Sequence, residues 1–273
     1  SYSLAKVYNP DFKYWQGVEC AFYAAFYRVA TLGSGAGVAA IYYFNERGVP
    51  YSKGTGLYTI EYMLHKVSIA LFAGIFFILN WGYMQKYYSQ YDMTLLIGFG
   101  VTFVIAAVLL LFACSKKFHE VLLWIVRKLN RSGKLTEQVK KLEEQCAILE
   151  DAAATLLKRG GLIAGCILKN LLKFTFWYGI PFLILAETGK LTLSQGLAVT
   201  SLAMMLAAVI PAPAGIGSSE FVLTMLLAKI VGTGAAGSVA LLYRFATFVL
   251  PFVIGAVVVV LWRRVHRSTE KAA

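Results

Sequence analysis

The chain has 273 residues, 59% of them hydrophobic and 15% charged, with a formal net charge of +12. A soluble domain of this length carries more charge, and several uncharged runs are long enough to cross a bilayer. The runs do not alternate, which excludes a transmembrane barrel, and the basic residues flank apolar segments as positive-inside topology requires, which argues against a nucleic-acid partner. These features predict an all-α polytopic membrane protein. Cys20, Cys114, Cys146 and Cys166 are scattered, as are His65, His119 and His266. Neither a metal site nor a disulfide framework is implied. The chain starts at Ser1 without Met, which fits a trimmed N-terminus, and Arg28 inside the first apolar run argues against a signal peptide.

Residues 1–14 are polar. Apolar residues then run from Trp15 to Leu32, followed by Gly33-Ser34-Gly35-Ala36-Gly37 and a short apolar piece to Phe44. Sixteen residues from Gln16 to Thr31 make roughly 24 Å of helix, too short for a core of about 30 Å. The spacing predicts a re-entrant hairpin over 15–47 with its tip at the glycines. Residues 55–82 read as a full span with Trp81 and Tyr83 at one interface, 83–92 as a loop, and 93–114 as the cleanest span. The insert 115–160 is polar. Its stretch 118–129 is basic and amphipathic, suited to the lipid surface, and 135–157 has helical charge spacing, including Glu137 and Lys141. Another span is expected at 161–186 and a loop at 187–194. A second short-armed hairpin is expected at 195–231, a turn at 232–237, and a last span at 238–262.

Eighteen of the 26 Lys and Arg fall in 1–14, 46–54, 115–160 and 263–273, against two in the opposite loops. This bias predicts cytoplasmic termini and a cytoplasmic insert in a multi-pass cell-membrane protein. One transmembrane domain then holds two inverted units, 1–114 and 161–273, joined by the insert 115–160. Each unit is a broken re-entrant hairpin plus transmembrane helices, the arrangement that places a transporter's binding site at the midplane.

The second break, Pro211-Ala-Pro-Ala-Gly-Ile-Gly-Ser-Ser-Glu220, is the most informative stretch. Its prolines and glycines stop a helix, and Ser218 or Ser219 can cap the next one, with Glu220 in its first turn. Broken backbone at membrane depth survives only where protein or a watery cavity satisfies it.

This stretch resembles the transmembrane, flippase-type region of lysylphosphatidylglycerol synthetases, the multiple peptide resistance factors. The family pattern is close to Pro-x-Pro-Gly-Gly-x-Gly-x-x-Glu followed by a helix with an arginine. Pro211, Pro213, Gly215, Gly217 and Glu220 match it, and Arg244 stands where that arginine is expected. The glycine break at 33–37, the span at 55–82 and the basic insert also fit, so the resemblance covers nearly the whole chain. Ala214 replaces the first glycine of the pair, and the first break lacks a proline often found there. The resemblance implies movement of a phospholipid or lipid-linked head group between leaflets, in a family tied to antimicrobial peptide resistance. No soluble aminoacyl-transferase domain follows Ala273, so lysyl transfer is not expected, and one more N-terminal span is usual in the family.

Candidate chemistry centres on the two breaks. Helix N-termini bind phosphate, so a phosphate is expected between Gly33, Gly35 and Gly37 on one side and Pro213, Gly215, Gly217, Ser218 and Ser219 on the other. Glu220 can hold an amine of the head group or satisfy its own backbone. Arg244 and Arg28 can grip phosphate with paired bonds or form internal ion pairs, Arg244 with Glu220 and Arg28 with Glu19. Glu61, His65 and Lys66 make a polar patch, with Glu61 and His65 one turn apart. They can relay protons, bind the head group or form a satisfied network. Lys169, Lys173 and Lys229 read as snorkelling residues, and Tyr42, Tyr43, Tyr51, Tyr58 and Tyr62 as interfacial anchors. There is no nucleotide-binding or hydrolytic motif and no implied cofactor, so transport is expected to be passive or coupled to an ion or the membrane potential. The alternatives are a lipid-modifying membrane transferase and a small-anion transporter. Self-association is left open.

Overall fold

The computed structural model describes residues 1–89, 98, 100–101, 103–105, 107–108, 111, 115–130, 136–210 and 212–270. All regular structure among them is helical, as expected for this class. A short α1, Tyr2–Ala5, precedes α2, Tyr14–Ala30, and α3, Gly35–Glu46. The long α4 covers Tyr51–Leu79. The expected loop 83–92 is helical over its first six residues, which belong to α5, Trp81–Tyr88. The expected span 93–114 lies largely outside the described residues.

The insert forms two helices, α6 at Lys116–Leu129 and α7 at Thr136–Leu156. Ser115 caps α6 by accepting from the Phe118 N–H at 3.2 Å. The expected Glu137–Lys141 pair forms at 2.6 Å. Helix α8, Gly160–Leu185, follows, then a 3-10 turn at Ala186–Thr188 closed by Gly189 at φ +63°. Helix α9, Leu193–Ala207, opens on a reciprocal cap between Thr192 and Gln195. Helix α10 is Ser218–Val231 and α11 is Thr233–Arg244. The expected turn over 232–237 shrinks to Gly232, whose φ of +84° only glycine adopts cheaply, and Gly234 and Gly237 sit inside α11. A π-helical turn, Phe245–Val249, joins α11 to α12, Leu250–Glu270. The Leu250 N–H bonds to the Phe245 carbonyl one residue further back than an α-helix allows. This widening gives Pro251 room for its ring, which clashes with the carbonyl four residues back in a regular helix.

Among the described residues, three helices are long and apolar enough to cross a membrane: Tyr51–Leu79, Pro213–Val231 and Thr233–Arg264. The second includes the 3-10 turn before α10, and its continuous α-helical part is 14 residues, roughly 21 Å. Helix α8 is long enough at 26 residues, but Lys169, Asn170 and Lys173 lower its hydropathy.

Two hairpins and two long helices build the bundle. Helices α2 and α3 pack together and α3 packs on α4, while α9 and α10 pack together and α10 packs on α11. The first arm of each hairpin crosses to the other half, α2 against α12 and α9 against α4. The ends of the first hairpin are tied, because the Asn9 side-chain amide donates to the Arg47 carbonyl at 2.7 Å. Helix α8 leans on α4, α9 and α11. One core, around Leu202, Met205, Leu223 and Tyr243, belongs to the second hairpin. Another, around Tyr43, Phe44, Leu57 and Ile60, belongs to the first.

Candidate functional site

The second break is closed upon itself. A 3-10 turn at Pro213–Gly215 carries Ala214 at φ +53° and Gly215 at +70°, and Gly217 at +84° precedes α10. Pro211 lies outside the described residues. Glu220 caps its own helix: the Gly217 N–H donates to its Oε2 at 3.0 Å, and the Ser219 hydroxyl lies 2.8 Å from the same oxygen. The Ser218 and Ser219 hydroxyls also reach the Gly215 carbonyl, at 3.3 and 3.0 Å. Arg244 Nε donates to Glu220 Oε1 at 3.0 Å, and its Nη2 donates to the Ala214 carbonyl at 3.2 Å. The guanidinium also lies 4.0 Å from the centre of the Phe248 ring. The internal Arg244–Glu220 pair foreseen for these residues is formed.

The first break is stitched by Thr31, whose Oγ1 accepts from the Gly35 N–H at 2.6 Å, and by Ser34, whose hydroxyl donates to the Thr31 carbonyl at 2.9 Å. Leu32 and Gly33 take positive φ, +53° and +107°. The two tips meet: a methyl group on Gly33 would stand 3.3 Å from the Ala214 backbone nitrogen. Gly35 and Gly37 serve packing instead, since a side chain at either would strike Thr31 or Tyr58.

A cavity of about 440 Å³ lies between α2, α4 and α8. It is lined by Arg28 of α2, by Tyr58, Glu61, Tyr62 and His65 of α4, and by Asn170, Lys173 and Trp177 of α8. Thr247 of the π turn and Pro251 complete it. A second space of about 420 Å³ shares Glu61, Asn170 and Lys173 and adds Lys169 and Tyr14. Glu61 and His65 lie near the middle of α4, and Lys173 near the middle of α8. Tyr62 of α4 and Trp177 of α8 remain 43% and 37% exposed, so the cavity is open to the surroundings where they line it.

Lys173 Nζ lies 3.1 Å from His65 Nδ1 and donates to Asn170 Oδ1 at 3.3 Å. Glu61 accepts from the Ser1 hydroxyl at 2.7 Å and from the Ser1 backbone nitrogen at 2.7 Å. Arg28 has no ion pair among the described residues. The foreseen Glu19 partner is taken by Arg47 at 3.5 Å and by the Tyr43 hydroxyl at 2.5 Å. Lys66 departs from its expected place: it lies over the Tyr62 ring, 5.3 Å from its centre, and does not line the cavity.

The structure thus divides the expected residues between two places. Gly33, Pro213, Gly215, Gly217, Ser218, Ser219, Glu220 and Arg244 form the tip cluster, and Arg28 and Glu61 line the cavity. Lys173 is a correction, because a residue read as snorkelling points into the cavity instead. Asn170 and Trp177 were not foreseen. The signal was the spacing of Asn170, Lys173 and Trp177, which puts them on one face of an otherwise apolar helix. No group of three metal-ligating side chains occurs among the described residues.

No curated protein and no solved structure matches the chain. The family of the lysylphosphatidylglycerol synthase TM region matches over residues 4–255, which takes in both breaks, the insert and the cavity. The chain is therefore a membrane protein belonging to the lysylphosphatidylglycerol synthase transmembrane-region family.

Proposed function

We propose that this protein is a flippase-like transporter that moves a phospholipid or lipid-linked head group between the leaflets of the plasma membrane. The observation that carries the reading is the cavity that joins Arg28, in the last turn of α2, to Glu61, His65 and Lys173 near the middles of α4 and α8, with Tyr62 and Trp177 exposed at its edge. Ionisable residues inside a membrane are expensive to keep there, and they mark substrate paths. Arg28 and Lys173 suit a phosphate, and the opening past Tyr62 and Trp177 gives the acyl chains a way to stay in lipid. That opening favours a lipid over a small anion, which needs no side access. The tip contact between Gly33 and Ala214 supports re-entrant hairpins entering from opposite faces. The crossed packing of α2 on α12 and α9 on α4 supports two inverted units, which can rock against each other around a fixed site.

Translocation of labelled phospholipid in proteoliposomes tests the reading. Lys173→Gln and Arg28→Gln each remove one charge-assisted contact, worth roughly 1.5–3 kcal/mol, so each should slow transport about tenfold or more. Undiminished transport by both folded variants would remove the cavity from the pathway.

A further inference from the structure

The polar groups between α4 and α8 form a directed chain. The Ser68 hydroxyl donates to the Leu64 carbonyl at 2.6 Å. It therefore accepts from the Asn170 amide nitrogen at 3.3 Å, which fixes the amide's orientation. Asn170 Oδ1 is then the acceptor for Lys173 Nζ at 3.3 Å. A lysine in its ordinary ammonium form only donates, so with Lys173 charged its other contact, His65 Nδ1 at 3.1 Å, offers a lone pair. His65 is thus held neutral, with its proton on Nε2, by a contact that vanishes once Nδ1 is protonated. Phe174 walls the pair, its ring centre 5.2 Å from the imidazole centre and 4.7 Å from Nζ. The titratable groups lining the space around the pair are Glu61, Tyr58 and Tyr62 from α4, Arg28, Cys20 and Tyr14 from α2, Lys169 and Cys166 from α8, and Tyr2 with the Ser1 nitrogen from α1 and the residue before it. Lys66 of α4 adds its charge from outside the cavity wall. Cations outnumber Glu61 there, so a second positive charge on the pair is unfavourable while the cavity holds no anion.

We propose that His65 is a proton-binding site linked to anion binding at Lys173, so that one proton travels with each phosphate-bearing head group. This rests on the transport reading above. An arriving phosphate oxygen draws the Lys173 ammonium away from His65. The freed Nδ1 lone pair then takes a proton from a solvent hydronium, and the added positive charge balances the negative charge of the phosphate. Release of the anion returns Lys173 to Nδ1 and expels the proton. Uptake exchanges one O–H bond of a solvent hydronium for the Nδ1–H bond, release reverses it, and no other covalent bond changes.

Calorimetry on the detergent-solubilised protein, with short-chain phosphatidylglycerol or inorganic phosphate in buffers of different ionisation enthalpy, counts the protons taken up. The expectation is uptake of about one proton per anion, and binding that strengthens by up to about tenfold for each pH unit lowered. His65→Asn keeps an acceptor in place of Nδ1 but cannot take the proton, so its binding should change less than about twofold per pH unit. Imidazole nitrogen NMR of the wild-type protein without anion should show an unprotonated Nδ1 on His65 at neutral pH. Anion binding without proton uptake, no binding of either probe, or a doubly protonated His65 in the anion-free protein would each overturn the proposal. Uptake with inorganic phosphate alone keeps the proton site and removes the lipid cargo. Lipid translocation that ignores both pH and His65→Asn keeps the transport reading and removes the proton.

Discussion

Ala214 holds φ +53° at the point where the hairpin tips touch. A non-glycine residue in that region carries a steric cost of about 1 kcal/mol, so Ala214→Gly should raise the thermal unfolding temperature while leaving the tip contact in place. Gly33→Ala should do the opposite, because it adds a methyl group 3.3 Å from the Ala214 nitrogen at a φ of +107°. The Glu220–Arg244 pair is judged by a double-mutant cycle. The two side chains are only 23% and 17% exposed, so either partner left alone is partly desolvated. Glu220→Gln should cost roughly 1–3 kcal/mol in a denaturation series, and the cost should shrink when Arg244→Gln is already present. Purely additive losses would mean that the pair contributes nothing to the break.

At the scale of elements, the insert is docked rather than tethered. Helix α7 packs on α4, where a side chain on Gly56 would stand 2.5 Å from Ala152 Cβ, and Lys53 pairs with Asp151 at 2.5 Å. Helix α6 joins α7 through His119 and Glu150 at 3.0 Å and through Arg127 and Glu143 at 2.5 Å, leaving Val121, Trp124 and Ile125 exposed. That exposed face supports the expected lipid-surface helix. Cys146 of α7 is buried, and burial pushes its thiol pKa up. The thiolate is the reactive form, so at a given pH less of it is available and labelling is slow. In a variant with Cys146 as the sole cysteine, Gly56→Leu should lift α7 from α4 and speed maleimide labelling several-fold. Equal labelling rates would mean that the glycine contact does not hold the insert.

For the whole molecule, the proposed pair of re-entrant hairpins predicts an order of sides. Asp11→Cys, Glu46→Cys and Lys141→Cys should all be labelled from the cytoplasmic side, and Lys190→Cys and Thr233→Cys from the other side. Labelling of Asp11→Cys and Glu46→Cys from opposite sides would turn the first hairpin into a single crossing. The packing argues against that outcome, because Asn9 reaches the Arg47 carbonyl and brings both ends of the hairpin together.

The helical membrane class, the two breaks and the family were legible along the chain, because each is written in neighbouring residues. Long apolar runs leave the backbone no partner in lipid but itself, and prolines and glycines in such runs end helices wherever the chain goes. The partners of charged side chains were not legible. Arg28 and Glu19 share a helix, yet Glu19 is taken by Arg47 and Tyr43, 28 and 24 residues further on. Lys173 meets His65 across 108 residues, and Arg244 meets the carbonyl of Ala214 thirty residues back. A charge in an apolar segment states only that a partner is needed. Which group supplies it depends on the angles at which α2, α4 and α8 pack, and those are set by side-chain fit across the whole bundle.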